Sequence, residues 1–200
     1  YNDGLLGQDE VIRKIGDGEN RVRDYHIDLG EDLEVLDLSA GKRFFCALVD
    51  GEHLQKAVKC WGSNAGLVLG LGGGPRLRIG DGLDADGNFV LDETGACLLD
   101  ADGESLCEMG EGLAAVDLGS QYYPAEIESG KEHTCARSEE GEVKCWGRND
   151  KGQCGIDSAS NYVGISASDL GDNLAAVDFG DGCWANKIAL GAKHSCALIQ

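Results

Sequence analysis

The sequence lacks several features that would place it in a familiar functional class. Only two of its 200 residues are proline, no run of lysine or arginine occurs, and no stretch reaches the roughly 20 apolar residues that span a bilayer. The 36 acidic residues outnumber the 17 basic ones, which gives a net charge of −19. A field of this sign repels phosphate backbones and anionic lipid surfaces. We therefore expect neither a nucleic-acid partner nor a membrane span.

Two further absences concern the nine cysteines and the compartment of the protein. No Cys-x-x-Cys pair occurs, and close cysteine pairs are the usual ligands of structural zinc. Zinc is therefore a poor explanation for so much cysteine, and disulfides are a better one. No Asn-x-Ser/Thr sequon occurs either, so no glycosylation signal separates secretion from an organelle lumen.

What the chain has in excess is glycine and self-similarity. Glycine takes 31 of 200 positions, about twice its usual share, which indicates many tight turns. The phrase Gly130-Lys-Glu-His-Thr-Cys-Ala-Arg137 is closely matched 61 residues later by Gly191-Ala-Lys-His-Ser-Cys-Ala-Leu198. The segments Met109–Gly119 and Leu170–Gly180 are related by the same offset. A fixed period predicts small units that bury their apolar sides by stacking on their neighbours.

Cysteines placed symmetrically about short turns predict stapled β-hairpins. Two apolar runs flank the turn signature Glu139-Glu-Gly141, so Cys135 and Cys145 should lie opposite each other across two antiparallel strands. The same arrangement recurs at two other places, once with four extra residues in the turn. The predicted bridges are Cys46–Cys60, Cys97–Cys107, Cys135–Cys145 and, between two of the cysteines that remain, Cys154–Cys183, with Cys196 left unpaired.

The fullest unit, Ile127–Gly155, contains Gly-x-x-His-x-Cys-Ala followed by Gly-x-Val-Lys-Cys-Trp-Gly-x-Asn-x-x-Gly-Gln-x-Gly. This string resembles the regulator-of-chromosome-condensation repeat in its cysteine-paired version. The resemblance implies an all-β fold, a β-propeller of four-stranded antiparallel blades with disulfide-stapled hairpins. Too few units occur for a closed ring, so we expect a partial or incomplete propeller. We expect residues 1–200 to form a single repeat domain, an excerpt of a longer array, with hairpins near 40–70, 93–108, 127–155 and 188–200.

Repetition gives the histidines and tryptophans of the unit a structural interpretation. His133 and His194 precede repeat cysteines at a place where Phe44 stands in another unit. We therefore expect the imidazole to bond a neighbouring backbone group rather than to act as a catalytic base. Trp61 and Trp146 follow repeat cysteines directly and are predicted to pack between blades.

The acidic segment Asp81–Glu93 invites comparison with a calcium-binding loop. In a twelve-residue EF-hand loop, Asp84, Asp86 and Glu93 would be ligands, but the first position would be Gly82, which has no carboxylate. The flanking residues do not have a helical pattern either. We expect an acidic hairpin turn here, with calcium as the alternative, and no other metal and no cofactor.

These observations favour a non-enzymatic protein-binding or scaffold module, because no nucleophile or carboxylate recurs beside the histidines. Disulfides persist in oxidising compartments, so we expect a secreted, cell-surface or lumenal protein. Its partner is expected to be a protein, with a larger complex as one setting. Contacts are expected at segments that interrupt the repeat, because recognition usually uses loops on a rigid scaffold. These segments are Asp9–Asp28, Gly51–Lys56, Gly72–Glu93 and Asp157–Ser168.

Three alternative functions stay open. The first is a permanent subunit of a larger extracellular or lumenal assembly, and the second is a propeller-type enzyme inhibitor. The third, which the family resemblance implies, is an intracellular guanine-nucleotide exchange factor. Stapled hairpins argue against this third function, because thiols stay reduced in the cytosol and nucleus.

Overall fold

The computed structural model describes residues 26–65, 67–72, 78–79 and 109–200. In these ranges the chain forms three antiparallel sheets, which confirms the expected all-β architecture. We call the sheets blades 1, 2 and 3. Blade 1 contains β1 (Leu33–Ala40), β2 (Phe44–Gly51), β3 (Ala57–Ser63) and β4 (Arg78–Ile79); blade 2 contains β5 (Pro124–Ser129), β6 (His133–Ser138), β7 (Val143–Arg148) and β8 (Tyr162–Val163); blade 3 contains β9 (Ala185–Leu190) and β10 (Ser195–Ile199). Short 3-10 turns occupy Gly110–Gly112, Ala167–Asp169 and Gly171–Asn173.

The first two strands of each blade pair in the same register in all three blades. The first hairpin of each blade has an irregularity at the same repeat position, where one residue of the inner strand has no partner. Such β-bulges bend a strand and increase its twist, so all three blades acquire the same curvature. The inner strands β1, β5 and β9 lie side by side, which arranges the blades as neighbouring vanes of a propeller. The unpaired residues are Leu36, Ala125 and Asn186.

Disulfides join the second and third strands of blades 1 and 2. Cys46 lies opposite Cys60, and Cys135 lies opposite Cys145, with 4.1 Å between the Cα atoms in both pairs. These are the two pairings that the hairpin spacing predicts within the described residues. Each bridge closes a loop of 10 to 14 residues, which limits the unfolded chain and contributes about 2 to 4 kcal/mol.

A ring lying on a glycine explains the Gly-x-x-His and Gly-x-x-Phe motifs. In every blade the aromatic residue folds back over the glycine three positions earlier, so that a Cβ there would overlap the ring. The fold needs a flat ring at this position, which is why phenylalanine and histidine both occur. The ideal Cβ would lie 2.0 Å from Phe44 at Gly41, 2.1 Å from His133 at Gly130 and 2.3 Å from His194 at Gly191.

In each of the two four-stranded blades, one buried lysine connects the sheet to the polypeptide that flanks it. Lys144 Nζ donates hydrogen bonds to the Leu118 and Gly171 carbonyls at 2.8 and 3.1 Å. Lys59, at the same position in blade 1, donates to the Leu29 carbonyl at 2.6 Å. Buried ammonium groups require such partners, because an unsatisfied charge away from water is costly. The lysine of the Val-Lys-Cys-Trp motif is therefore a structural anchor.

Tryptophan fills the space between neighbouring blades. Trp146 is fully buried, and its Nε1 donates to the Val68 carbonyl of blade 1 at 3.1 Å. A Cβ on Gly70 would lie 2.9 Å from this nitrogen, so glycine allows the close approach of the indole. Trp61 is buried in the same way and stacks on Phe45 with ring centroids 5.8 Å apart. Trp146 thus packs between blades as its repeated position predicts, whereas the ring contact described for Trp61 lies within blade 1.

Candidate partner-binding groove

Blade 1 departs from the repeat at the turn between its second and third strands. β2 ends at Gly51 and β3 begins at Ala57, and the Gly51 amide donates to the Leu54 carbonyl at 2.9 Å within the turn. In blade 2 the corresponding turn is shorter and runs from Ser138 to Val143. The longer turn is one of the segments that the sequence predicts as a contact element.

A groove of about 520 Å³ lies beside the longer turn of blade 1. It is bordered by this turn, by the residues that lead into β1, and by the connector that follows blade 1. Leucine side chains supply an apolar floor, whereas the residues before β1 are acidic. The groove is lined by Glu31, Asp32, Leu33, His53, Leu54 and Leu113, among others.

One side-chain difference distinguishes the groove from the same region of blade 2. Leu33 stands five residues after Asp28, and Tyr122 stands five residues after Asp117, so the two residues are equivalent at the entry to β1 and β5. Tyr122 is buried, and its hydroxyl donates to the Ala136 carbonyl at 2.6 Å. Burial raises the pKa of this phenol far above its ordinary value. Leucine has neither the length nor the hydroxyl to do the same in blade 1.

The exposed rim of the groove is acidic. Glu31 and Asp32 are exposed in the segment before β1. Lys59 also borders the groove but is 5% exposed, with its ammonium group against the Leu29 carbonyl. The two carboxylates therefore give the rim of the groove a negative charge. An apolar floor below a negative rim suits an apolar side chain flanked by positive charge.

The structure describes some of the other predicted contact segments and not others. Asp157–Ser168 contains β8, the outer strand of blade 2, between exposed turns. Asp9–Asp28 and Gly72–Glu93 fall largely outside the described residues. The calcium alternative at Asp84, Asp86 and Glu93 and the bridge Cys97–Cys107 lie outside them entirely. In the part of the chain that the structure does describe, no group of three or more His, Cys, Asp or Glu side chains is placed to hold a metal ion.

The repeat histidine of blade 2 contacts the next blade. His133 is buried, and its Nε2 lies 3.0 Å from Ser195 Oγ, whereas its Nδ1 has no hydrogen-bond partner among the described residues. The predicted backbone partner is thus replaced by a side-chain hydroxyl. Burial, together with the smaller effect of nearby His194, lowers the pKa of this imidazole to about 4. His133 is therefore neutral at pH 7.

Replacing His133 by phenylalanine should reduce the acid sensitivity of the fold. Between its ordinary pKa of 6.5 and about 4, His133 binds a proton in the unfolded chain but not in the folded one, so the free energy of unfolding falls as the pH falls. Phe44 supplies an equivalent ring in blade 1 without this dependence. Denaturant titrations at pH 7 and pH 4.5 should show a smaller difference for His133→Phe than for the wild type. Equal differences would contradict this role, and exposed His53→Gln is the control.

The three remaining cysteines correct one prediction. Cys154 and Cys183 are both free thiols, so the expected Cys154–Cys183 bridge is wrong. Cys154 is fully buried, and its backbone amide donates a hydrogen bond to Asn149 Oδ1 at 3.0 Å. Burial raises the pKa of its thiol to about 12. Cys183 lies instead where Tyr122 stands in blade 2, at the entry to the inner strand, whereas Cys196 is exposed and unpaired.

The antiparallel blades and their similarity to a solved structure show that this chain has a β-propeller repeat fold. Residues 125–153 match the family model described as the regulator of chromosome condensation (RCC1) repeat. The chain thus contains an RCC1-type repeat, as the resemblance of its fullest unit predicts. No curated protein matches the chain.

Three solved structures are similar to this chain, and the first of them has the same fold. Human WBSCR16 is 19% identical, and the match covers 98% of this chain and 43% of that one, with a TM-score of 0.60. The ectodomain of the Physcomitrella patens receptor kinase CR4 is 17% identical over 87% of this chain and 29% of its own, with a TM-score of 0.43. Saccharomyces cerevisiae Prp20p, which binds Gsp1p and histones, is 20% identical over 84% and 44%, with a TM-score of 0.37. The chain thus spans less than half the length of each.

Proposed function

We propose that this chain is a non-enzymatic protein-binding module that holds a short segment of its partner in the groove of blade 1. The observation that supports this most is the difference between Leu33 and Tyr122, which opens a groove on one blade of an otherwise repeated scaffold. The long turn 52–56 forms one side of that groove. An open apolar groove on a rigid scaffold is a common place for recognition.

The partner segment that the groove suits best has an apolar side chain between lysines or arginines. The leucine floor would remove the apolar side chain from water, at roughly 25 cal/mol for each Å² buried. Glu31 and Asp32 would attract the flanking positive charges, and the net charge of −19 would speed their approach. Added salt should therefore weaken the interaction, because the acidic rim is exposed.

The absence of catalysis is part of this proposal, and the geometry around His133 supports it. Ser195 Oγ lies 3.0 Å from His133 Nε2, a distance that would suit a nucleophile and its base. The serine hydroxyl, however, donates its proton to the Gln153 carbonyl at 2.7 Å. His133 must then donate to the serine oxygen, which is the reverse of what general-base activation requires.

An oxidising compartment is the second part of the proposal. Two cross-strand disulfides support it, because such bridges rarely persist in the cytosol. Among the described residues no helix is long and apolar enough to cross a membrane. An inhibitor or exchange-factor role has no comparable support.

Filling the groove should abolish peptide binding and leave the fold intact. In Leu33→Tyr the phenol can occupy the space that Tyr122 occupies in blade 2, so stability should change by less than about 1 kcal/mol. Fluorescence anisotropy would compare labelled peptides in which leucine is flanked by lysines or by glutamates. We expect the lysine peptide to bind the wild type, and to bind Leu33→Tyr about tenfold more weakly, a loss of about 1.4 kcal/mol.

The matched control is Val35→Tyr, which changes an exposed residue two positions further along β1 and outside the groove. It should bind the lysine peptide as the wild type does. Glu31→Gln should weaken binding and reduce its salt dependence. The proposal fails if neither peptide binds, or if Leu33→Tyr and Val35→Tyr behave alike.

A further inference from the structure

The turns between the first and second strands bring lysines of all three blades together. The Lys42 amide donates to the Lys131 carbonyl at 3.1 Å, and the Lys131 amide donates to the Ala192 carbonyl at 3.3 Å. These backbone hydrogen bonds fix the three turns side by side at one end of the sheets. In the third turn the lysine stands one position later, at residue 193. We call Lys42, Lys131 and Lys193 the basic row.

The ammonium groups of the basic row make no hydrogen bond or ion pair within the part of the chain that the structure describes. Lys42 and Lys193 are exposed, and Lys131 is half-buried. Other lysines have internal partners, since Lys144 donates to two carbonyls and Lys56 pairs with a glutamate. The charges of the basic row are therefore available to a ligand.

The carboxylate nearest to the row in sequence is already paired. Glu132, the single acidic residue of the three turns, lies 2.9 Å from the Arg148 guanidinium, which also donates to Asp150 at 3.1 Å. Lys151 adds a second cation beside Asp150. Two cations and two carboxylates cancel in this group, so they leave the charge of the row unchanged. Arg43, exposed in the first turn, adds a further positive charge at this end of the blades.

The opposite end of the same sheets is acidic. The turns between the second and third strands, residues 52–56 and 139–142, contain four glutamates and a single lysine, which is paired with Glu139. Glu31 and Asp32, on the rim of the groove, lie at this end as well. Charge is therefore segregated between the two ends of the blades. A local positive surface on a chain of net charge −19 is a place where an acidic partner can approach.

The spacing of the basic row suits an extended chain. A single backbone hydrogen bond between two turns places their Cα atoms roughly 5 to 7 Å apart. Side chains on one face of an extended segment recur at every second residue, which is roughly 6.5 Å. Carboxylates at alternate positions of such a segment would therefore each face one cation of the row.

We propose that the basic row binds an extended acidic segment of a partner protein, with aspartate or glutamate at alternate positions. Each ammonium group donates a charge-assisted hydrogen bond to one carboxylate. Exposed ion pairs are individually weak, so affinity depends on several acting together and falls as salt is added. The groove of blade 1 suits a positive segment at the other end of the sheets. The chain thus binds segments of opposite charge at opposite ends.

The test measures fluorescence anisotropy of labelled peptides at low ionic strength with the whole chain. The first peptide is Glu-Ser-Glu-Ser-Glu-Ser-Glu, the second is Glu-Glu-Glu-Glu-Ser-Ser-Ser, and the third has glutamine in place of every glutamate of the first. We expect the alternating acidic peptide to bind, the second to bind about threefold more weakly, and the third not to bind. The net charge of −19 repels both acidic peptides, so general electrostatic attraction cannot produce this order.

Variants assign the binding to the basic row. Lys131→Gln should weaken binding of the alternating peptide about threefold, and the double variant Lys42→Gln/Lys131→Gln about tenfold. The matched control is Lys151→Gln, which removes an exposed lysine at the same end of blade 2 but outside the row. It should bind as the wild type does. Leu33→Tyr should also bind the acidic peptide normally, so failure here is distinguishable from failure of the groove on blade 1.

Four results would overturn the proposal. They are no binding of the alternating acidic peptide, equal binding of the two acidic peptides, equal losses in Lys131→Gln and Lys151→Gln, and tighter binding of a sulfated oligosaccharide than of the peptide. The last result, if it showed the same loss in Lys131→Gln, would assign the basic row to a glycan instead of a protein segment.

Discussion

Lys144→Met should lower the free energy of unfolding by about 3 kcal/mol, since a charge-assisted hydrogen bond contributes roughly 1.5 to 3 kcal/mol and Lys144 makes two. Methionine has a similar length and fills the same space, so the loss reports the ammonium group rather than a cavity. The Leu118 and Gly171 carbonyls lose a buried donor, and the attachment of blade 2 to its flanking connectors is weakened. Denaturant unfolding followed by tryptophan fluorescence would measure the change.

The control is Lys193→Met, which removes an exposed lysine from blade 3. It should change the free energy of unfolding by less than about 0.5 kcal/mol, as surface substitutions usually do. If the two variants were equally stable, the buried lysine would not be the anchor that its hydrogen bonds describe. A parallel loss in Lys59→Met would extend the result to blade 1, where the lysine donates to the Leu29 carbonyl.

Gly147→Ala should destabilise the protein by about 3 kcal/mol. Gly147 has φ +97, a conformation that costs a residue with a side chain about 1 to 2 kcal/mol. An added Cβ would also lie 2.8 Å from the Glu132 carbonyl oxygen, and backbone cannot move aside as a flexible side chain can. The expected fall in melting temperature is about 6 to 12 °C for a chain of this length.

Gly152→Ala separates the two contributions. Gly152 has φ +72, but no atom lies within 4 Å of its ideal Cβ, so only the conformational cost remains. Its loss should be about 1 kcal/mol, and the difference between the two variants measures the steric contact at the His133–Gly147 pair. Equal losses would show that the close approach to Glu132 relaxes at no cost.

Symmetry about a turn made the hairpin disulfides predictable. In an antiparallel hairpin, residues equally far from the turn face each other, so Cys135 and Cys145 could be paired from spacing alone. The four extra residues before Cys60 lengthen the turn without changing this symmetry, and the pairing with Cys46 follows. The repeat likewise indicated tryptophan packing, because an apolar residue at equivalent places in neighbouring units belongs to their shared core.

The disulfide prediction was wrong for the cysteines that no hairpin symmetry relates. The predicted Cys154–Cys183 disulfide rested only on the two cysteines being left over from the hairpins. Cys154 has the position of Leu69 in blade 1, because each residue follows an asparagine by five positions and donates its backbone amide to that asparagine's Oδ1. That parallel was readable in the sequence and indicates a core position, which is where the structure places the thiol. His133 was expected to bond backbone, but its partner Ser195 is 62 residues away and belongs to the next blade.

The groove of blade 1 was only half predictable. The long turn could be found by counting residues between Cys46 and Cys60, and it does border the groove. The depth of the groove depends on Leu33, and recognising that required aligning it with Tyr122 in a segment where the repeat is faint. The two positions become equivalent only when the strand pairing of both blades is known, because loops of unequal length hide the offset in the sequence.

Mass-spectrometric mapping of disulfides in unreduced protein tests the account most directly, because the blade register, the rigid scaffold of the groove and the oxidising compartment all depend on the same cross-strand bonds. Alkylation before proteolysis should yield linked fragments joining Cys46 to Cys60 and Cys135 to Cys145, with alkyl groups on Cys183 and Cys196, and on Cys154 after unfolding. Alkylated Cys135 and Cys145, or fragments joining cysteines of different blades, would contradict it.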